Sequence, residues 1–361
     1  MEEIFLRPRC LVNVVKVYGH HVLTHLAGPY VIGIDAGGTK TRCTVLTLGG
    51  AVAGSGTGPG ANPNSGGDTS GALTMALRSA IGDLDRSLIL NGVFGIAGAG
   101  SAGRPAAVAA ARQAWHAVGL RGSPAVVTDI AVAFAAGSQE PAGIVVFSGT
   151  GAGAAVIRDG VIVQRADGYG PLVGDEGSAV WLGKEAVRAT LAAVDGRGEP
   201  TLLTESVPRA LLGPATPRVP LPRRVPALVG AAGNDPGEPP PPAIPVAQAI
   251  IKEVHGRPLA DLGKLGPVVC AAATAGDPVA RRITDEAAHS LLRSVDAVRP
   301  ALDGRPAPVV TAGSVLGSGP VADAVRAGLC ERFGAPPRPA GDGAIGAAGI
   351  ALRRLGLVSP R

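Results

Sequence analysis

VIGIDAGGTKTRCTVLTL, residues 31–48, decides how the rest of the chain is read. Val31 to Asp35 read as a buried strand, Ala36 to Thr39 as a glycine-rich turn, and Lys40 to Leu48 as a returning strand, which makes a β-hairpin. A third strand is expected at 51–55. Helical spacing then covers 72–84, a strand 93–97, a helix 106–118, a strand 125–128 and a helix 130–136. Strands alternating with helices in this way predict an α/β domain.

Pro141 and Gly143 punctuate the chain, and the strand–turn–strand order then returns. GIVVFSG, residues 143–149, leads through a Gly-Thr-Gly turn into GAAVIRDG, with Asp159-Gly160 as a tight hairpin turn before VIVQRA. Two hairpins with glycine-rich turns imply a duplicated fold. We expect a poorly ordered extension over 1–30, a first domain over 31–140 and a second over 141–361, with the last helix packing back on the first. Helices are predicted at 178–193, 278–302, 321–333 and 344–354, and APVVTAGS, 307–314, reads as a strand entering a turn. The proline-crowded stretch 213–245 reads as a loop or extended linker.

Composition narrows the function classes. The 361 residues suit two domains with cores of their own. Aromatics make up 3%, so the core must be aliphatic, and 54 glycines allow close helix packing. The formal charge of +5 is spread along the chain without interleaved aromatics, which disfavours nucleic-acid binding. No apolar run reaches the ~18 residues of a membrane span. Cys10, Cys43, Cys270 and Cys330 lack zinc spacing and fit a reducing cytoplasm.

Five short stretches carry chemistry. In Asp35-Ala36-Gly37-Gly38-Thr39-Lys40-Thr41, glycines let backbone N–H groups approach an anion, Thr39 adds a hydroxyl, and Asp35 can hold the water shell of a metal ion. Ser148-Gly149-Thr150-Gly151 repeats that arrangement. Asp129 stands where a strand ends and a helix begins, so it is either the helix N-cap or the carboxylate that a phosphoryl-transfer enzyme needs to take a hydroxyl proton. In GYGPLVGDEGS, 168–178, Asp175 and Glu176 either accept hydrogen bonds from sugar hydroxyls or serve the dipole of the following helix. Gly313-Ser314 forms a small-residue turn on which a ribose or flat ring could lie.

In order, GIDAGGTKT, GPGANPNSGG, TDIAVAFAAG, FSGTGAGA, GYGPLVGDEGSAVWLG and TAGSVL resemble the BadF/BadG/BcrA/BcrD-type ATPase family of the sugar kinase, Hsp70 and actin superfamily, in its N-acetylglucosamine kinase branch. The resemblance implies two ribonuclease-H-like, actin-like domains around a nucleotide cleft, and ATP-dependent phosphorylation of an amino sugar's 6-hydroxyl. By that resemblance Asp129 is the base and Asp35 positions Mg²⁺. Gly37, Gly38, Thr39, Lys40, Gly149, Thr150 and Gly151 face the phosphates of ATP, and Gly313 and Ser314 face the adenosine. Asn62, Gly151, Asp129 and Asp175 hold the sugar. Asp167, near where the family reads the sugar's 2-substituent, suits a free amine, which puts glucosamine beside N-acetylglucosamine as substrate. N-acetylmuramic acid stays open, as does a homodimer.

Ala152 departs from the serine common after Gly-Thr-Gly, and Tyr169 from the usual tryptophan. Two rivals are weighed against the kinase reading. A redox-linked activator ATPase needs cluster cysteines near the cleft, yet none lies between Cys43 and Cys270. A non-catalytic sugar sensor would not need Asp35, Asp129 and Asp175 together.

Overall fold

The computed structural model describes residues 28–63, 67–100, 102–214 and 243–357. The extension 1–30 therefore lies almost wholly outside the described residues, as does most of the proline-rich stretch.

The first hairpin forms where the sequence places it. Strand β1 (Tyr30–Ala36) pairs antiparallel with β2 (Lys40–Thr47), which pairs with β3 (Val52–Pro59). Helix α1 (Thr69–Ile81), β4 (Ile89–Ile96), α2 (Arg104–Ala117), β5 (Ala125–Thr128) and α3 (Asp129–Gly137) follow. The sheet order is β3-β2-β1-β4-β5, with β4 and β5 parallel to β1. Strand β3 runs four residues past the expected end at 55, because Gly54, Gly56 and Gly58 present no Cβ to α1 and the helix backbone settles directly on the strand.

The second half repeats this plan. Strands β6 (Ala142–Ser148), β7 (Ala152–Arg158) and β8 (Val161–Asp167) form an antiparallel meander. Helices α4 (Ala179–Val194), α5 (Leu203–Leu212), α6 (Ala243–His255), α7 (Gly266–Thr274) and α8 (Pro278–Val298) lead to β9 (Val309–Ala312), α9 (Pro320–Phe333), the two-residue β10 (Arg338–Pro339) and α10 (Gly343–Arg354). The sheet runs β10-β9-β6-β7-β8, so β6 to β10 occupy the places of β1 to β5. Residues 243–245, read from sequence as linker, begin α6 instead, since proline is tolerated in a first helical turn.

Three cores hold the layers together. One packs α1 and α2 against the outer face of the first sheet, and another packs α4, α5, α7, α8 and α9 against the outer face of the second. The third joins the halves. Val31, Val93 and Val127 of the first sheet and Val145, Ala155 and Val310 of the second enclose α3 and α10 through Val132, Phe134, Ala347, Ala348 and Leu352. Helix α10 can sit this deep because a Cβ on Gly33 would overlap the Ala344 carbonyl and the Ala348 amide. Among the described residues no helix is long and apolar enough to cross a membrane.

Candidate active site

Helices α3 and α10, enclosed between the sheets, begin at the same rim of the molecule. Asp129 opens α3, Asp342 caps α10, and Asp35 near the end of β1 lies within the electrostatic reach of both. Two helix N-termini at one place favour bound anions there, since each offers unpaired N–H groups and the positive end of a dipole.

The first hairpin turn is braced from below. Gly37 N–H donates to the Lys40 carbonyl (2.9 Å), Ala61 N–H to the Gly37 carbonyl (3.0 Å), and Thr41 Oγ1 to the Pro59 carbonyl (2.6 Å). Asn62 follows Ala61 and so stands at the foot of this turn. Gly38, Thr39 and Lys40 are exposed, and the N–H groups of Gly38 and Thr39 make no hydrogen bond to any described residue. These are donors held in place and free for an external acceptor.

The second hairpin is bolted to the start of α4. Ser148 Oγ donates to the Gly177 carbonyl (2.8 Å), and Ala179 N–H donates to the Gly149 carbonyl (2.8 Å). Ala152 N–H donates to Asp175 Oδ1 (3.3 Å), while Thr150 is exposed at the tip. Gly313 closes against this hairpin with φ of 97°, and a Cβ there would overlap the Ser148 carbonyl. Gly149, Gly151, Asp175, Gly313 and the adjoining Ser314 therefore form one cluster.

Two of the open sequence readings now separate. Thr128 is the N-cap of α3, its Oγ1 accepting from Ala131 N–H at 3.2 Å, so the carboxylate of Asp129 is not spent on capping. Ser178 caps α4 through Trp181 N–H (3.0 Å). Asp175 instead turns inward with φ of 57° and is 5% exposed, while Glu176 stays at the surface facing Arg293.

The structure gives Asp167 a task the sequence did not suggest. It adopts φ of 61°, and its carboxylate accepts from Gly168 N–H (2.7 Å), Asp175 N–H (2.7 Å) and Glu176 N–H (2.8 Å). Loop 168–176 is thus closed at its base by one side chain, and most of that carboxylate's accepting capacity is committed to backbone rather than open to a free amine.

The site is electrostatically strained. Burial, with the nearby charges of Asp129 and Asp342, pushes the Asp35 carboxyl up to about 6, against the opposing pull of Arg42. Burial also raises Asp129, partly offset by the N–H groups of Ile130 and Asp129 itself and by Arg165. Asp175 is raised by burial and by Asp167, against the Ala152 and Gly170 amides and Arg165. Arg42, Arg165 and Asp342 were not singled out from the sequence. Asp342 had a usable signal, a Gly-Asp-Gly immediately before a helix, and accepts from Ala344 N–H at 2.8 Å. Arg42 lies opposite Asp35 in the hairpin register and 4.0 Å from Asp342, a relation visible only once the hairpin is paired.

Among the described residues no group of three His, Cys, Asp or Glu side chains is arranged to hold a metal ion by itself. Asp35 nevertheless suits a divalent cation that keeps its waters and takes its other ligands from phosphate, because crowded carboxylates are relieved by a positive charge. A groove of about 380 Å³ between α4 and α8, with Trp181, Arg188 and Ile283 in its walls, contains none of these residues. Its rim arginine Arg188 is already paired with Glu185, and we regard it as surface relief.

Comparison with known proteins agrees with this architecture. An N-acetylmuramic acid/N-acetylglucosamine kinase from Clostridium acetobutylicum is 29% identical over 301 residues, 80% of this chain and 85% of that protein. A solved structure from Chromobacterium violaceum, described as a candidate N-acetylglucosamine kinase, superposes with a TM-score of 0.62 at 24% identity, covering 89% of this chain and 98% of the other. A glucokinase of the ROK family from Streptomyces griseus, solved with glucose and AMPPNP, gives 0.51 at 18% identity, covering 90% and 99%. The two five-stranded sheets thus have the fold of actin-like sugar kinases. Residues 32–351 match the family model throughout, and the chain belongs to the BadF/BadG/BcrA/BcrD ATPase family.

Proposed function

We propose that this chain is an ATP-dependent kinase that phosphorylates the 6-hydroxyl of an amino sugar, N-acetylglucosamine or glucosamine. One observation carries the reading. The Asp129 carboxylate stands at a helix N-terminus beside Asp35, released from capping by Thr128, with burial favouring uptake of a proton. A general base for an alcohol needs that combination of freedom and raised proton affinity.

Each cluster has a place in the reaction. The free amides of Gly38 and Thr39 and the hydroxyls of Thr39 and Thr150, with Gly37 and Lys40 of the first turn and Gly149 and Gly151 of the second, would grip the phosphates of ATP. Gly313 and Ser314 would lie under its adenosine. Asn62, Gly151 and Asp175 would hold the sugar ring so that its 6-hydroxyl faces Asp129, which takes the proton as the oxygen attacks phosphorus. Asp35 would hold Mg²⁺, which would supply charge neutralisation on the transferring group. The N-termini of α3 and α10 would stabilise the same charge without moving.

The relative from Clostridium supports the amino-sugar class. The commitment of Asp167 to backbone amides favours an acetamide over a free amine at the 2-position. We place the enzyme in the cytoplasm, and light scattering would test the homodimer. ADP release over a panel of hexoses, amino sugars and N-acetyl amino sugars tests the proposal. Product analysis by phosphorus–proton NMR should show attachment at carbon 6. Turnover of glucose alone, or phosphate at another carbon, would overturn it.

A further inference from the structure

Arg42 stands in the phosphate half of the cleft without an assigned task. Along β2, Cys43 and Val45 enter the outer core and Leu46 enters the core shared by the two sheets, so strand alternation puts Arg42 on the inner side with Leu46. It lies opposite Asp35 in the hairpin register, two residues past the exposed Lys40 of the first turn. The Asp35 carboxylate in turn rests on the first residue of α10, since a Cβ on Gly343 would overlap it. Arg42 is therefore beside both the first turn and the N-terminus of α10. Among the described residues it makes no hydrogen bond, and its ionic partner there, Asp342, stops at 4.0 Å with both side chains nearly half exposed. The N–H donors of the guanidinium are thus unspent.

Asp35 adjoins the first turn and lies within the electrostatic reach of Asp129, so a phosphoryl group passing from that turn to a hydroxyl at Asp129 travels past Asp35 and Arg42. Asp35, Asp129 and Asp342 all repel such a group, and the amides of the turn offer only partial charges. We propose that Arg42 is a further catalytic residue, whose guanidinium leaves Asp342 and donates two parallel hydrogen bonds to oxygens of the γ-phosphate, most strongly while that group is being transferred. This rests on the kinase reading above and adds a residue to it. In the step, the sugar oxygen bonds to the γ-phosphorus as the bond from that phosphorus to the β–γ bridging oxygen breaks. ADP departs with the electron pair, and the hydroxyl proton goes to Asp129. Arg42 makes and breaks no covalent bond; it offsets the charge spread over the transferring oxygens. Its planar fork matches two phosphate oxygens at once, where lysine would supply a point charge.

Wild type, Arg42→Ala and Arg42→Lys are to be compared by kcat and KM with ATP and N-acetylglucosamine, and by calorimetric binding of ADP and of AMPPNP without sugar, all in magnesium buffer. A half-exposed ion pair contributes little to folding, so both variants should melt with wild type. Arg42→Ala should lower kcat by about 10²-fold and weaken AMPPNP by about 10-fold. Affinity for ADP and the KM for sugar should stay within about threefold. Arg42→Lys should recover part of kcat. An arginine that merely supports Asp342 or the turn would weaken ADP and AMPPNP alike, and that result overturns the proposal. So does a kcat for Arg42→Ala within threefold of wild type. Absence of wild-type turnover with every sugar would instead sink the kinase reading, and the comparison of AMPPNP with ADP would still decide whether Arg42 meets a γ-phosphate.

Discussion

Replacing Asp129 by Asn separates chemistry from architecture more cleanly than any other change in this molecule. The side chain keeps its size, and α3 keeps its cap because Thr128 Oγ1 holds the Ala131 amide. What is lost is the ability to accept a proton. General-base catalysis contributes about 10²- to 10⁴-fold, so kcat should fall by at least about 100-fold, equivalent to about 2.7 kcal/mol of transition-state stabilisation. The KM for ATP should stay within about threefold, since among the described residues no hydrogen bond joins the Asp129 carboxylate to either phosphate turn.

Stability should move the other way. Burial raises the folded-state pKa of Asp129 above its unfolded value, so the native state binds more protons through that window and its stability falls as pH rises. At neutral pH the ionised carboxylate therefore opposes folding, and the Asn variant should melt at or above the wild-type temperature. That advantage should shrink as pH falls toward about 4, where the unfolded carboxyl also takes up its proton. Coupled-enzyme kinetics and calorimetric melting at pH 7.5 and 4.5 would measure both effects. Turnover within tenfold of wild type would refute Asp129 as the base. A lost kcat accompanied by a collapsed melting temperature would refute the claim that it is dispensable to the fold.

The other predictions concern the parts around it. Gly313→Ala forces a side chain onto a backbone of φ 97° and into the Ser148 carbonyl, so it should destabilise the protein by about 1–3 kcal/mol and raise the KM for ATP more than that for sugar. Asp175→Asn should raise the KM for sugar by about 10-fold or more while sparing ATP; equal changes for both substrates would show that it serves only the hairpin. Asp167→Ala removes the acceptor for three backbone amides. It should cost about 2–4 kcal/mol in denaturant unfolding and lower kcat/KM equally for glucosamine and N-acetylglucosamine. A selective loss with glucosamine would restore Asp167 as the reader of a free amine.

Much of the fold was legible because each hairpin is written locally. A buried β-branched run, a glycine turn and a returning strand suffice to place β1, β2, β6 and β7, and duplication follows from finding the pattern twice. Elements lacking such punctuation escaped. Helix α5 carries Pro208 inside it, α6 begins within a proline-rich stretch, α7 opens with Gly266-Pro267, and the two residues of β10 are too few for any period to register. Of the site, the short-range pieces were readable as glycine turns and strand-end carboxylates. The partners of those pieces were not: the pairing of Arg42 with Asp342, the reach of Arg165 and the clamp by Asp167 depend on segments brought together by tertiary packing. Asp167 shows the limit well, since a carboxylate beside a glycine turn looks alike whether it faces a ligand or its own backbone.

The depth at which α10 sits bears on how the chain assembles during synthesis. The residues that cover the inner face of β1 leave the ribosome only after every strand of the second half, so the leading half must wait, with Val31 and Val93 uncovered, until they arrive. Folding by independent halves is thereby denied to this protein. A nascent or prematurely terminated chain would offer that bare sheet to chaperones or to other nascent chains, and a stop codon only a few residues before Gly343 should be as damaging as loss of a whole domain.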